Sequence, residues 1–121
     1  MSFSSIIENI SDGDIEGIYD AIKGRIPLTS GLGLLEEIKG TMYLLRSQFL
    51  AVNDDPTMHR NFVSLYKNAE GQISALEGHF RQKVESGMQI GGEDAALKTM
   101  ANLHLLINGL RSLCQTIDKG K

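Results

Sequence analysis

The sequence has a single cysteine, Cys114, only two prolines and no tryptophan. One cysteine cannot form an internal disulfide or a cysteine-rich zinc site, so packing must hold the fold together, as in a reducing compartment. No run of about 18 apolar residues occurs, and no basic start precedes an apolar segment, so we expect neither a membrane span nor a signal peptide. These absences predict a soluble protein of the cytoplasm.

Positive charge is also scarce. Twelve Lys and Arg residues are set against fifteen Asp and Glu residues, which gives a net charge of -3 and a pI near 5.5. Nucleic-acid-binding proteins usually carry a basic surface, so this balance disfavours that class. With 41% hydrophobic and 22% charged residues over 121 positions, the chain has the composition and length of one globular domain. We predict a single domain over residues 1–121.

Strand patterns are nearly absent, and apolar residues recur every three or four positions instead. This periodicity predicts an all-α fold: an antiparallel helical bundle of three long helices, over about 30–52, 56–87 and 93–117, plus one or two short N-terminal helices. Asp55 and Pro56 fit the N-cap and first position of the second long helix, and so short a connection implies antiparallel neighbours. The predicted buried stripes are Ile38, Met42, Leu45, Phe49 and Val52; Phe62, Leu65, Ala69, Ile73, Leu76, Phe80 and Val84; and Ala96, Met100, Leu103, Ile107, Leu110, Cys114 and Ile117.

The N-terminal region differs from the rest in charge. Residues 1–24 contain five carboxylates and one lysine, a net charge of -4. Ser11 and Asp14 have the spacing of a capping box, which predicts the start of a short helix. We therefore predict an acidic arm with short helices over residues 1–28 and a core of helical hairpins over residues 29–121.

The usual catalytic and metal-binding patterns are incomplete. No two of the three histidines, His59, His79 and His104, have the spacing with which a helix presents two imidazoles to one metal ion. Residues 12–23 partly match a calcium-binding loop, but Lys23 stands where such a loop needs a bidentate carboxylate. Cys114 continues an apolar stripe, where a thiol behaves as a small hydrophobe. We predict no enzymatic activity, no cofactor and no metal site.

Glycines inside the predicted helices are harder to explain. Gly40, Gly71, Gly78 and Gly109 interrupt strongly periodic segments, and each costs about 1 kcal/mol relative to alanine in a helix interior. Either they lie at helix crossings inside the bundle or are merely tolerated, or they form a surface that another helix approaches closely. The second interpretation predicts a docking face on the second long helix made of Arg60, Lys67, Gly71, Ser74, Gly78 and Arg81.

These observations favour a non-enzymatic protein-protein interaction module, such as an adaptor, an assembly factor, a small chaperone or an inhibitor. Its predicted partner is another protein that offers an acidic or helical segment, for which residues 1–24 of the same or another chain would qualify. The last helix has a wide apolar face that three unequal helices would leave partly uncovered. We therefore also expect a homo-oligomer, with a dimer as the first hypothesis.

Two alternatives use the same long helix. A helical bundle associated with nucleic acid would use the basic stripe of Arg60, Lys67, Arg81 and Lys83 against phosphates. Interposed glutamates, Glu70, Glu77 and Glu85, argue against it. A histidine phosphotransfer-like carrier would use an exposed His79 near Lys83. That lysine lies four residues away instead of three, and Val84 stands where a small residue is needed.

Overall fold

A computed structural model describes residues 2–52, 55–87 and 92–119. The five helices are α1 (Phe3–Ile7), α2 (Asp12–Ile22), α3 (Leu28–Val52), α4 (Pro56–Ser86) and α5 (Glu93–Lys119). The all-α prediction is confirmed, and the long helices begin and end within about two residues of the predicted positions. Across the described ranges there is no strand, and no helix has both the length and the apolar character needed to cross a lipid bilayer.

Local capping fixes where several helices begin and end. Ser11 and Asp14 form the predicted capping box, in which each side chain accepts a hydrogen bond from the other residue's backbone N–H at 3.0–3.1 Å. Asp55 accepts from the backbone of Thr57 at 2.9 Å and so caps α4, as predicted. Gly87 ends α4 in the left-handed conformation, with φ of 64°. Residues 53–54 and 88–91, which belong to the predicted breaks between the long helices, lie outside the described residues.

The helices form a four-cornered antiparallel bundle. Helices α1 and α2 together make the first corner and pack against α3 and α5, while α4 occupies the opposite corner and packs against the same two helices. Residues that pair across α3 and α4 run in opposite order: Phe49 stacks on Phe62, and Lys39 bonds Glu77. The acidic N-terminal region is therefore an integral part of the bundle, and its described helices pack mainly against α3 and α5.

The core follows the predicted stripes except at Leu65, which is only partly buried, and at two helix ends. All seven stripe residues of α5 are buried, from Ala96 to Ile117. Val52 and Val84 were predicted to be buried but are 57% and 45% exposed, because each lies in the last turn of its helix, with no following turn to help cover it. Four further leucines flank the buried stripe of α5. Leu97, Leu106 and Leu113 pack onto the core, whereas Leu105 is 69% exposed.

The C-terminal half of α5 binds the N-terminal helices through polar contacts. The Asp118 carboxylate accepts hydrogen bonds from the backbone N–H groups of Phe3 and Ser4, both at 3.0 Å, so a side chain from α5 caps α1. Arg111 donates to the carbonyl of Ile10 at 2.6 Å and bonds Asp12 at 3.3 Å. These contacts hold the first corner of the bundle in place.

A candidate docking face on α4

All six residues of the predicted docking face are exposed on one side of α4. Their spacing of seven, four, three, four and three residues keeps them in line along the helix. The buried residues of α4, including Phe62, Ile73 and Phe80, point to the other side. We use "α4 docking face" below for Arg60, Lys67, Gly71, Ser74, Gly78 and Arg81.

The glycines of this face do not pack against another helix in the described part of the chain. Apart from its chain neighbours and the adjacent backbone of its own helix, a Cβ atom added at Gly71 or Gly78 would meet no described atom within 4 Å, and the same holds at Gly40 on α3. Gly109 is different, because its added Cβ would lie 3.3 Å from the Leu65 side chain, where α4 and α5 cross. The crossing interpretation therefore holds for Gly109, whereas Gly71 and Gly78 face open space.

The cations of the α4 docking face are not equivalent. Arg81 bonds Glu77 at 3.3 Å, and the Glu77 side chain, only 9% exposed, also binds Lys39 of α3 at 2.9 Å. The hydrogen bond and charge of Glu77 raise the pKa of Lys39. Arg60 and Lys67 have no ion pair with any described residue. They are the cations most available to a partner.

A shallow groove of about 350 Å³ runs beside the α4 docking face, between α3 and α4. Its walls include Tyr43 and Arg46 from α3 and Val63, Tyr66 and Lys67 from α4. The Arg46 guanidinium lies 5.6 Å from the centre of the Tyr66 ring, a cation–π arrangement that keeps this charge within its own chain. The groove offers aromatic and aliphatic surface at the margin of the docking face.

His79 is less accessible than the sequence predicted. Its Nε2 atom is buried and has no hydrogen-bond partner among the described residues, while the residue as a whole is partly exposed. The Nε2 atom is therefore not presented to solvent, although other parts of the side chain are. A phosphoryl acceptor needs an exposed ring nitrogen, so this geometry weighs against the phosphotransfer alternative.

This burial predicts a pH dependence. Burial, with a smaller contribution from Lys83, lowers the pKa of His79 below its ordinary value of 6.5. The pKa of His79 is thus lower in the folded chain than in the unfolded chain. The stability that neutral His79 contributes is complete above the pKa of the unfolded chain, and it is lost as the pH falls from that value through the pKa of the folded chain. We expect the free energy of unfolding to fall more between about pH 7.5 and about pH 5.5 in the wild type than in His79→Gln. Urea titrations at both pH values measure the difference, and equal falls would contradict it.

The acidic side of α2 lies beside His104 of α5, a proximity that the sequence did not predict. Asp12, Glu16 and Asp20 line a groove of about 740 Å³ together with His104 of α5. Two of these carboxylates already have cationic neighbours, Arg111 at 3.3 Å and Arg25 at 3.7 Å. No periodicity within one helix could signal this pairing, because it depends on how α2 packs against α5.

The basic stripe of the nucleic-acid alternative is divided in the structure. Arg60 and Lys67 lie on the α4 docking face, and Arg81 is bound to Glu77. Lys83 is on another side of α4, where it lines a cavity of about 340 Å³ with Lys23 and Glu93. The four cations do not form one continuous surface.

Comparisons with protein-family models, with curated proteins and with solved structures found no match to this chain.

Proposed function

We propose that this chain is a non-enzymatic protein-binding module that acts in the cytoplasm as an adaptor, assembly factor, small chaperone or inhibitor. Its partner contacts the α4 docking face with an acidic helical segment. The observation that carries the proposal is the open space at Gly71 and Gly78, where packing within the chain gives no reason for glycine.

The cost of these glycines supports a docking role. Each lowers the stability of an exposed helix by about 1 kcal/mol relative to alanine. Without Cβ atoms, the backbone of α4 is accessible to a close helical neighbour, and favourable contacts there would offset the cost. Ser74 lies between them, and Lys67 and Arg81 lie at the margins, so the approaching helix meets small residues at its centre and cations at its edges.

This proposal predicts opposite effects on stability and on binding. We expect the double variant Gly71→Ala/Gly78→Ala to unfold with a free energy raised by up to about 2 kcal/mol, because two helix-interior glycines are replaced. We expect the same variant to bind acidic helical peptides at least about tenfold more weakly. The peptides are selected by wild-type protein from a displayed library of helix-forming sequences with acidic, neutral and basic compositions, and affinity is measured by calorimetry.

Gly33→Ala provides the matched control. Gly33 is also a helical glycine with open space around an added Cβ, but it lies on α3, away from the α4 docking face. The Gly33→Ala variant should have a higher free energy of unfolding than the wild type and the same affinity for the peptides. Enrichment of basic or uncharged peptides, or equal binding by the double variant, would contradict the proposal.

A further inference from the structure

We propose that the outward face of α3 binds a second copy of this chain, with the two α3 helices side by side and antiparallel. This face, called the α3 face below, consists of the exposed residues Gly40, Tyr43, Leu44, Ser47, Leu50 and Ala51. The inference does not depend on the glycines of α4 that carry the proposed function, because its contact is centred on α3; it shares only Arg60 and the adjoining groove with the surroundings of the α4 docking face.

Helix α3 is apolar on both sides. Its inward side is buried in the core, from Leu35 to Phe49, yet four of the six large hydrophobic residues exposed in the described part of the chain also lie on this helix. Between Gly40 and Val52 the only charged residue is Arg46, whose guanidinium lies over the Tyr66 ring of its own chain. A helix that is apolar all round is usually covered on all sides. The bundle covers only one side of α3.

The sizes of the side chains on the α3 face make it complementary to itself. Gly40, Tyr43, Ser47 and Leu50 follow steps of three, four and three, and they alternate small and large. In an antiparallel pair centred level with Leu45, Gly40 of one copy lies opposite Leu50 of the other, and Tyr43 lies opposite Ser47. Each large side chain then meets a small residue. A two-fold interface requires this kind of self-complementarity.

The charges that flank the α3 face favour the antiparallel orientation. Glu36 and Glu37 are exposed near its N-terminal end. Beyond its C-terminal end, α4 begins, with the partial positive charge of a helix N-terminus and with exposed Arg60. An antiparallel pair brings the two glutamates of each copy level with the partner's Arg60. A parallel pair would place like charges together, with glutamates beside glutamates.

The size of the face sets the expected affinity. In an antiparallel pair centred level with Leu45, residues 38–52 of the two α3 helices overlap. This stretch is about 22 Å long and about 10–12 Å across, so it offers on the order of 250 Å². That is about a third of the ~800 Å² per partner of a standard interface. The adjoining groove with Tyr43 and Val63 extends the contact. We therefore expect a weak, reversible dimer with a Kd in the upper micromolar range.

Sedimentation velocity of the full chain over a concentration series tests the location of the interface. Tyr43 and Leu105 form a matched pair, since they are 64% and 69% exposed on different helices. Tyr43→Glu should raise the dimer Kd at least about tenfold, because it buries a carboxylate in the interface. Leu105→Glu should leave the Kd unchanged. A Kd raised by Leu105→Glu and spared by Tyr43→Glu would overturn the proposal.

Two further variants separate association from folding. Gly40→Leu fills the notch that receives Leu50 of the other copy, while the space around its Cβ in the single chain is open. It should keep or raise the melting temperature and still raise the Kd at least about tenfold. In Gly40→Cys/Leu50→Cys, the two sites are about 15 Å apart within one helix, too far for an internal disulfide.

Oxidation of that double variant should therefore give covalent dimers on a non-reducing gel, and either single variant should not. A wild-type chain that stays monomeric up to about 1 mM, together with absence of the covalent dimer, would overturn the proposal and assign the α3 face to a different protein.

Discussion

Gly31→Ala lowers the free energy of unfolding by about 1–3 kcal/mol, the cost of overfilling a packed core. A Cβ atom at this buried position would lie 2.7 Å from the Cβ of Ala21 on α2 and 3.1 Å from the ring of Phe80 on α4. The Ala21 methyl group is attached directly to the backbone, so relief requires α2 to move away from α3. Urea unfolding monitored by circular dichroism measures the loss.

Ala21→Gly supplies a compensating change. It removes the methyl group that meets the new Cβ, so in the Gly31→Ala background it should restore part of the lost stability. In the wild type the same substitution should cost more than about 1 kcal/mol, because it loses a buried methyl group in addition to helix propensity. A double-mutant cycle measures this coupling, and additive effects would contradict the clash. Gly17 would not behave this way, because its added Cβ would meet the end of the flexible Leu34 side chain.

The Cys114 thiol reacts at least about a thousandfold more slowly with a thiol reagent in the folded chain than in the urea-unfolded chain. Burial, followed by the charge of Asp118, raises the pKa of Cys114 from its ordinary value of 9.0 to about 12. At neutral pH this removes most of the reactive thiolate, and the side chain is only 1% exposed. The absorbance released from a disulfide reagent at about pH 8 gives both rates.

Glutathione in the same urea concentrations corrects for any effect of urea on the reagent itself. The folded-state rate should rise as urea approaches the unfolding midpoint, because reaction then proceeds through the unfolded chain. Rapid labelling without urea would contradict the buried position of Cys114 and would reopen a nucleophilic role for it.

Features that depend on a few neighbouring residues were predictable from the sequence. The capping box of Ser11 and Asp14 and the cap at Asp55 use side chains within three positions of the groups they bind. The stripe of α5 was predictable for a related reason, because helical periodicity alone decides which residues share a side. The exposed line of residues on α4 follows from the same periodicity.

Features that depend on how helices meet were not predictable in this way. The sequence alone assigns Gly31 no packing role, which comes only from the approach of α2 and α4. The ion pairs of Glu77 with Lys39 and Arg81 reduce the free charge of the α4 docking face, although the sequence counts Arg81 as an available cation. The second apolar side of α3 was also not predicted, because the buried stripe on the same helix is the stronger pattern and obscures it.

The bond between Asp118 and the start of α1 gives the chain the topology of a nearly closed ring. Backbone groups at Phe3 and Ser4 lie within hydrogen-bonding distance of a side chain 115 and 114 positions later. A short flexible linker between these two ends would span little distance, so circular permutants that join them should preserve the bundle. Closing this contact also encloses residues 3–118 in one loop, whose entropic cost falls on the last step of assembly if the α3–α5 hairpins form first.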